Sequence, residues 1–217
     1  MEYKKITQDG LNTILKLHKK WLEIKIVSFF SEKADLSMTD LSGFNLSNID
    51  LSLANLNFAN LSGAIIYSSN FRDTEMKNTE LRDAQIRETC FDGSNLQYAN
   101  LMGSRIHSST FRRANMHGAN LIDSNLLCAD FNDSDLYNVN FTNASIHQNS
   151  FVRTNLQCAS FYKSRMWRPD FNESNMRYVD LREANIGHPN FAGANLKELK
   201  LDNTNLQGID IQSLDIE

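Results

Sequence analysis

The chain has 217 residues, a formal net charge of −4 at pH 7 and 41% hydrophobic residues. This is material for a core in one large domain or two small ones, and it excludes collagen-like, low-complexity and strongly basic nucleic-acid-coating classes. With nine glycines and two prolines there is no flexible linker, and no run approaches the ~18 apolar residues of a membrane-spanning helix.

The first 33 residues stand apart. They hold seven lysines against four acids, whereas residues 34–217 hold 15 Lys or Arg against 22 Asp or Glu. The opening MEYKKITQDG lacks the apolar run of a secretion signal. Three cysteines without CxxC spacing suit free thiols in a reducing compartment, so a cytoplasmic protein is expected. Leu11, Ile14, Leu15, His18 and Leu22 recur at helical spacing. Thr7 suits the N-cap, with Ile6 and Leu11 placed to close over it as a hydrophobic staple.

From residue 35 the chain runs in fives: DLSMT, DLSGF, NLSNI, DLSLA, NLNFA. A large apolar centre recurs every five residues from Leu36 to Ile216, and all 37 centres are Leu, Ile, Phe or Met. Five matches neither the strand period of two nor the helical 3.6, so a short unit must return to the core at each step. The residue two before each centre is usually small and fills a corner, as at Ala54, Ala59, Ala64 and Ser69. The residue just before the centre is Asp or Asn in 25 of 37 units, residues whose side chains bond nearby backbone amides in turns.

Units such as ANLNF, ANLSG, ANLMG, ADFND and ANLKE resemble the A(D/N)LXX signature of the pentapeptide-repeat family. The resemblance covers residues 34–217. The segment LNTILKLHKKWLEIK is similar to an LHxxWL helix that precedes the repeats in many members. It implies an all-β solenoid: a right-handed quadrilateral β-helix of four units per turn, with residues 1–33 as an N-terminal α-helical cap and 34–217 as uninterrupted repeats. A solid-core rod leaves no interior pocket, so a non-enzymatic protein is expected. Some members bind DNA gyrase by imitating duplex DNA.

The residues test a 20-residue turn independently. One face reads Phe71, Phe91, Phe111, Phe131, Phe151, Phe171 and Phe191, and another reads Ile66, Ile86, Ile106, Leu126, Ile146, Met166 and Ile186. Like residues at spacing 20 do not follow from a period of five; they are expected to stack in ladders, as in other solenoids. Thirty-seven units make about nine coils.

No P-loop, nucleophile-elbow or zincin motif occurs, and the five histidines read as surface residues. No catalytic, cofactor or metal site is therefore expected, and the protein is expected to bind neither membrane nor nucleic acid directly. Aromatic and Arg residues typical of interfaces form two clusters. The first holds His147, Trp167 and Arg168 in a row with Tyr67, Arg87, His107 and Leu127; the second holds Tyr98, Tyr137 and Tyr178. At the C-terminus, corner residues enlarge to Leu199, Ile209 and Leu214, joined by Ile211 and Ile216, so a homodimer through that coil is expected. The functional expectation is a rigid protein-binding or structural scaffold of unspecified partner, with gyrase binding as the alternative.

Overall fold

The computed structural model describes residues 2–24 and 33–208. Every five-residue unit makes one corner of a four-sided parallel β-solenoid. At each of the 35 positions two residues after a centre, from Met38 to Gly208, φ is positive, and 28 of these residues are not glycine. The coil, not the residue type, therefore imposes the left-handed conformation. On three faces a β-turn closes the unit: Ala59 N–H donates to Leu56 O (3.0 Å) and Ala99 N–H to Leu96 O (3.0 Å). Positive φ at the third residue makes this a type II turn.

The Ile-rich face is different. Its residues extend into strands, whose β-branched side chains prefer that backbone. The strands are β3 (Ile65–Tyr67), β4 (Gln85–Arg87), β5 (Arg105–His107), β6 (Asn125–Leu127), β7 (Ser145–His147), β8 (Arg165–Trp167), β9 (Asn185–Gly187) and β10 (Asn205–Gln207). They form one parallel sheet in chain order, each residue paired with the one 20 later. Because no turn bond forms here, the N–H of each corner residue needs another acceptor. Where the next coil's corner residue carries a side-chain acceptor, it supplies the bond: Thr89 N–H donates to Ser109 Oγ (3.1 Å) and Ala129 N–H to Asn149 Oδ1 (2.6 Å). The chain's two prolines, Pro169 and Pro189, occupy this same corner, where a residue without an N–H leaves nothing unpaired.

Seven 20-residue steps separate β3 from β10. This is slightly fewer than the nine coils counted from units, because that count includes the turns before Ile65 and units beyond the described residues. Along the outside, the Asp or Asn before each centre accepts from the N–H two residues on, as Asp35 does from Ser37 (3.0 Å). In several places an Asn 20 residues later donates back, as Asn55 does to Asp35 (3.1 Å) and Asn155 to Asp135 (2.8 Å). Inside, the Phe ladder stacks at centroid spacings of 4.9–5.5 Å. Phe141 and Phe161, on the opposite face, stack on each other at 4.7 Å and meet the ladder edge-on at 6.0–6.5 Å. Side chains from opposite faces thus touch across the middle, and the interior is filled.

At the N-terminus β1 (Lys4–Lys5) pairs in parallel with β2 (Thr39–Asp40), and the Lys5 ammonium bonds the Asp40 carboxylate. This strand covers the edge that the first coil would otherwise present. Nothing in the sequence pattern announced it. The helix α1 (Gln8–Ile24) follows, capped by Thr7, whose Oγ1 accepts from Gly10 N–H (3.1 Å). Leu11 is fully buried, and Ile6, Ile14 and Leu15 pack against the core, as do Phe44 and Ile49 of the first coil.

His18 corrects the expectation of five surface histidines. It is completely buried, and its Nδ1 accepts from the Ala34 N–H at the start of the repeats (3.0 Å). Its Nε2 has no hydrogen-bond partner among the described residues. An Nδ1 that accepts carries no proton, so the ring is held neutral. Burial lowers its pKa from the ordinary histidine value; the nearby Ser52 carbonyl and Asp50 carboxylate pull the other way without outweighing it.

Candidate functional site

With the interior filled, chemistry is confined to the outer faces. The first surface is the sheet. Pairing of β3 to β9 brings Tyr67, Arg87, His107, Leu127, His147 and Trp167 into one row, with Gly187 next. Trp167 is 41% exposed yet lies against its own scaffold, over the next coil. A Cβ at position 187 would run into the indole ring carbons. Gly187 is buried beneath the ring, so its missing side chain is what lets the indole lie down. His188 meets Trp167 edge-on at 4.8 Å, and a Cβ at Gly208 would in turn come within 2.8 Å of His188 Nδ1. The result is a shallow recess of about 260 Å³ lined by His147, Arg165, Trp167, Asn185, Gly187 and Gln207.

The second surface lies on the opposite face. Tyr98, 50% exposed, meets His117 edge-on at 5.4 Å, and His117 stacks on Tyr137 at 5.0 Å. Gly118 plays the part of Gly187: a Cβ there would come within 2.7 Å of the Tyr98 ring. Tyr178 is not in this stack. It pairs with Arg177, whose guanidinium lies 4.7 Å from its ring centroid and donates to Glu198 (2.9 Å). Glu198 also raises the Tyr178 phenol by accepting its hydrogen bond.

Sequence reasoning grouped Tyr98 with Tyr137 but missed His117, the ring that joins them. The signal was available: Tyr98 and Gly118, Trp167 and Gly187, and His188 and Gly208 are ring–glycine pairs at spacing 20. Arg168 is exposed beside Trp167. Of the residues expected to join two copies, Leu199 is part-buried against the core with Leu201 and Leu206. Ile209, Ile211, Leu214 and Ile216 lie outside the described residues.

A second cavity, of about 600 Å³, is a groove between α1 and the first coil, lined by Leu15, Lys16, Lys19, Leu22, Ile49 and Asp50. Among the described residues no group of three or more His, Cys, Asp or Glu is placed to hold a metal. No helix there is long and apolar enough to cross a membrane.

These features define a class: a solid four-sided solenoid whose accessible side chains lie on its outer faces. Models of the pentapeptide repeat region match residues 64–141 and 134–211, and a model of eight-copy pentapeptide repeats matches residues 33–73. The chain belongs to the pentapeptide-repeat family. No curated protein matches it. Among solved structures it is similar to trypsin-treated QnrB1, a plasmid-mediated fluoroquinolone resistance protein, at 13% identity and a TM-score of 0.55, covering 81% of this chain and 90% of that one. It is also similar to HetL, involved in heterocyst differentiation regulation in the cyanobacterium Nostoc sp. strain PCC 7120, at 23% identity and a TM-score of 0.42, covering 79% and 82%. At these identities the QnrB1 likeness shows the fold.

Proposed function

We propose that the protein is a rigid, non-enzymatic rod that presents its outer faces to protein partners in a reducing, cytoplasmic setting. The observation that carries this reading is the filled interior, with Phe131 and Phe141 meeting across it at 6.5 Å. It leaves the two glycine-seated aromatic surfaces as the places where a partner gains most from burial. Crosslinking in native extract tests it, with Trp167→Ala/Arg168→Ala and Tyr98→Ala/Tyr137→Ala beside the wild type. At least one variant is expected to lose a protein that the wild type retains. Identical crosslinked sets from all three would overturn the reading.

The second reading, binding to DNA gyrase as a duplex mimic, is supported by the acidity of the repeats and the QnrB1-like fold. The ion pairs weigh against it. Asp92, Asp130, Asp133 and Asp180 each face an arginine at 2.6–3.5 Å, so these carboxylates are neutralised from within. Supercoiling by purified gyrase, with and without a quinolone, is expected to be unchanged at micromolar protein; altered supercoiling or drug protection would establish the second reading instead.

The homodimer is part of the proposal. Leu199, Leu201 and Leu206 are less buried than their counterparts in the middle coils, which supports an apolar end that another copy covers. Light scattering is expected to give twice the 24.8 kDa chain mass, and a single-chain mass in Leu214→Glu/Ile216→Glu.

A further inference from the structure

Charge is sorted by face. From residue 60 to 208 the outward positions of the sheet face carry four arginines (Arg87, Arg105, Arg165, Arg168) and one acid, Glu88. The faces on either side, centred on Leu61 and on Phe71, each carry six acids and four bases over the same coils. In a chain of net charge −4, one long face is therefore cationic, about 34 Å long at ~4.8 Å per strand step.

The pairing is sorted too. On the flanking faces Arg72, Arg112, Arg153 and Arg182 each hold a carboxylate. On the sheet face Arg87 pairs with Glu88, but Arg105, Arg165 and Arg168 are exposed and make no ion pair among the described residues. Arg165 lines the recess that Trp167 and Gly187 form, and Arg168 follows directly on the indole. Leu127, 37% exposed, stands between the two ends of the face.

From this juxtaposition we infer that the sheet face docks an acidic protein segment, with its carboxylates on Arg105, Arg165 and Arg168 and an apolar side chain against the Trp167 recess. The inference rests on the protein-binding reading and names the chemistry of one partner. Guanidinium forks match carboxylates, and unpaired exposed arginines lose no existing partner on binding. The strip favours a polypeptide over a nucleic acid. Its cations are interrupted by Leu127, His147 and Trp167, whereas a phosphate backbone needs a continuous cationic track, and the net negative chain repels a polyanion of high charge density.

The test is titration of the full chain with a random copolymer of glutamate and tyrosine at low salt, read by tryptophan fluorescence excited where tyrosine does not absorb. Saturable binding is expected, weakened roughly tenfold or more in Arg165→Glu/Arg168→Glu. The control, Arg82→Glu/Arg113→Glu, makes the same charge change on the flanking faces and is expected to stay within about twofold of wild type. Circular dichroism melting checks that both variants are folded.

Four results would overturn the inference. One is no saturable change up to about 100 µM copolymer. Another is equal loss in the two variants. The third is duplex DNA binding as tightly as the copolymer, which would assign the face to nucleic acid. The last is binding that emerges only in Asp210→Asn/Asp215→Asn/Glu217→Gln, which would make the chain's own acidic tail the occupant. If the copolymer fails to bind while Tyr98→Ala/Tyr137→Ala still loses a crosslinked protein, the scaffold reading stands and only the cationic face falls.

Discussion

A left-handed backbone at every fifth residue is a standing cost in this chain. Glycine fills only seven of the 35 positions, and residues as unlike as Leu53, Tyr98, Arg113 and Cys128 adopt φ of 53–64° there. Each non-glycine residue in this region costs roughly 1–2 kcal/mol of local strain, held in place by the bonds above and below. Ser108, at φ 48°, is exposed and its side chain makes no hydrogen bond among the described residues. Ser108→Gly is therefore expected to stabilise the fold by about 0.5–1 kcal/mol, the relief of strain exceeding the extra freedom of the unfolded chain. Gly93→Ala is expected to do the reverse, because φ is +70° and the new Cβ would run into the Asp73 carboxylate. Urea melts of the two variants check the pair. Opposite signs are the expected outcome, and matching signs would mean that the coil does not hold these residues in strain. The period of five was legible in the sequence because burial selects large and small residues at fixed places. The positive φ was not, because the surrounding coil enforces it without asking for glycine.

At the scale of elements, the sheet face and the helix were legible to different degrees. The Ile ladder and the two corner prolines mark the extended face once the 20-residue register is known. The strand β1 left no mark, since a two-residue Lys-Lys segment has no periodicity to read. The helix α1 was legible in its apolar spacing, but His18 was mistaken for a surface residue because its role is to accept a backbone hydrogen bond, which composition does not show. That bond makes helix docking depend on pH. The neutral ring is required, and its folded-state pKa lies below the ordinary value. Its contribution is therefore full above the unfolded histidine pKa of about 6.5 and is lost as pH falls through the lowered folded-state value. Protection of the Ala34 amide from hydrogen exchange, corrected for intrinsic rate, is expected to fall across that range while the middle coils, such as Leu126, keep theirs. In His18→Phe the pH dependence should vanish, whatever happens to overall stability. Unchanged Ala34 protection in the wild type from pH 7 to pH 5 would show that the ring tolerates its charge.

The whole molecule behaves as a one-dimensional stack, in which each coil is stabilised by the coils above and below it. The exposed surfaces were the part least legible in the sequence. Core positions are selected for size, whereas an outward position accepts almost any residue, so residue type alone picked out Trp167 and Tyr98 without showing the glycine that seats each ring. The same physics predicts a gradient of mutational cost along a single ladder. Leu126 and Leu206 are the same residue on the same face, four coils apart. Leu126 is fully buried between Ile106 and Ile146, whereas Leu206 stacks on Ile186 and is only partly buried. Leu126→Ala leaves a cavity walled by coils on both sides that cannot collapse, and it is expected to cost about 2–5 kcal/mol. Among the described residues Leu206 has a stacking partner on one side only, so Leu206→Ala is expected to cost less than half as much and to appear mainly as local fraying. Denaturant melts read the first difference, and residue-resolved hydrogen exchange reads the second, with lost protection confined to β10 and its neighbour in Leu206→Ala but spread through the middle coils in Leu126→Ala. Equal costs at the two sites would contradict the nearest-neighbour picture. They would indicate that the end of the rod is covered as fully as its middle, as a second copy seated on Leu199, Leu201 and Leu206 would make it.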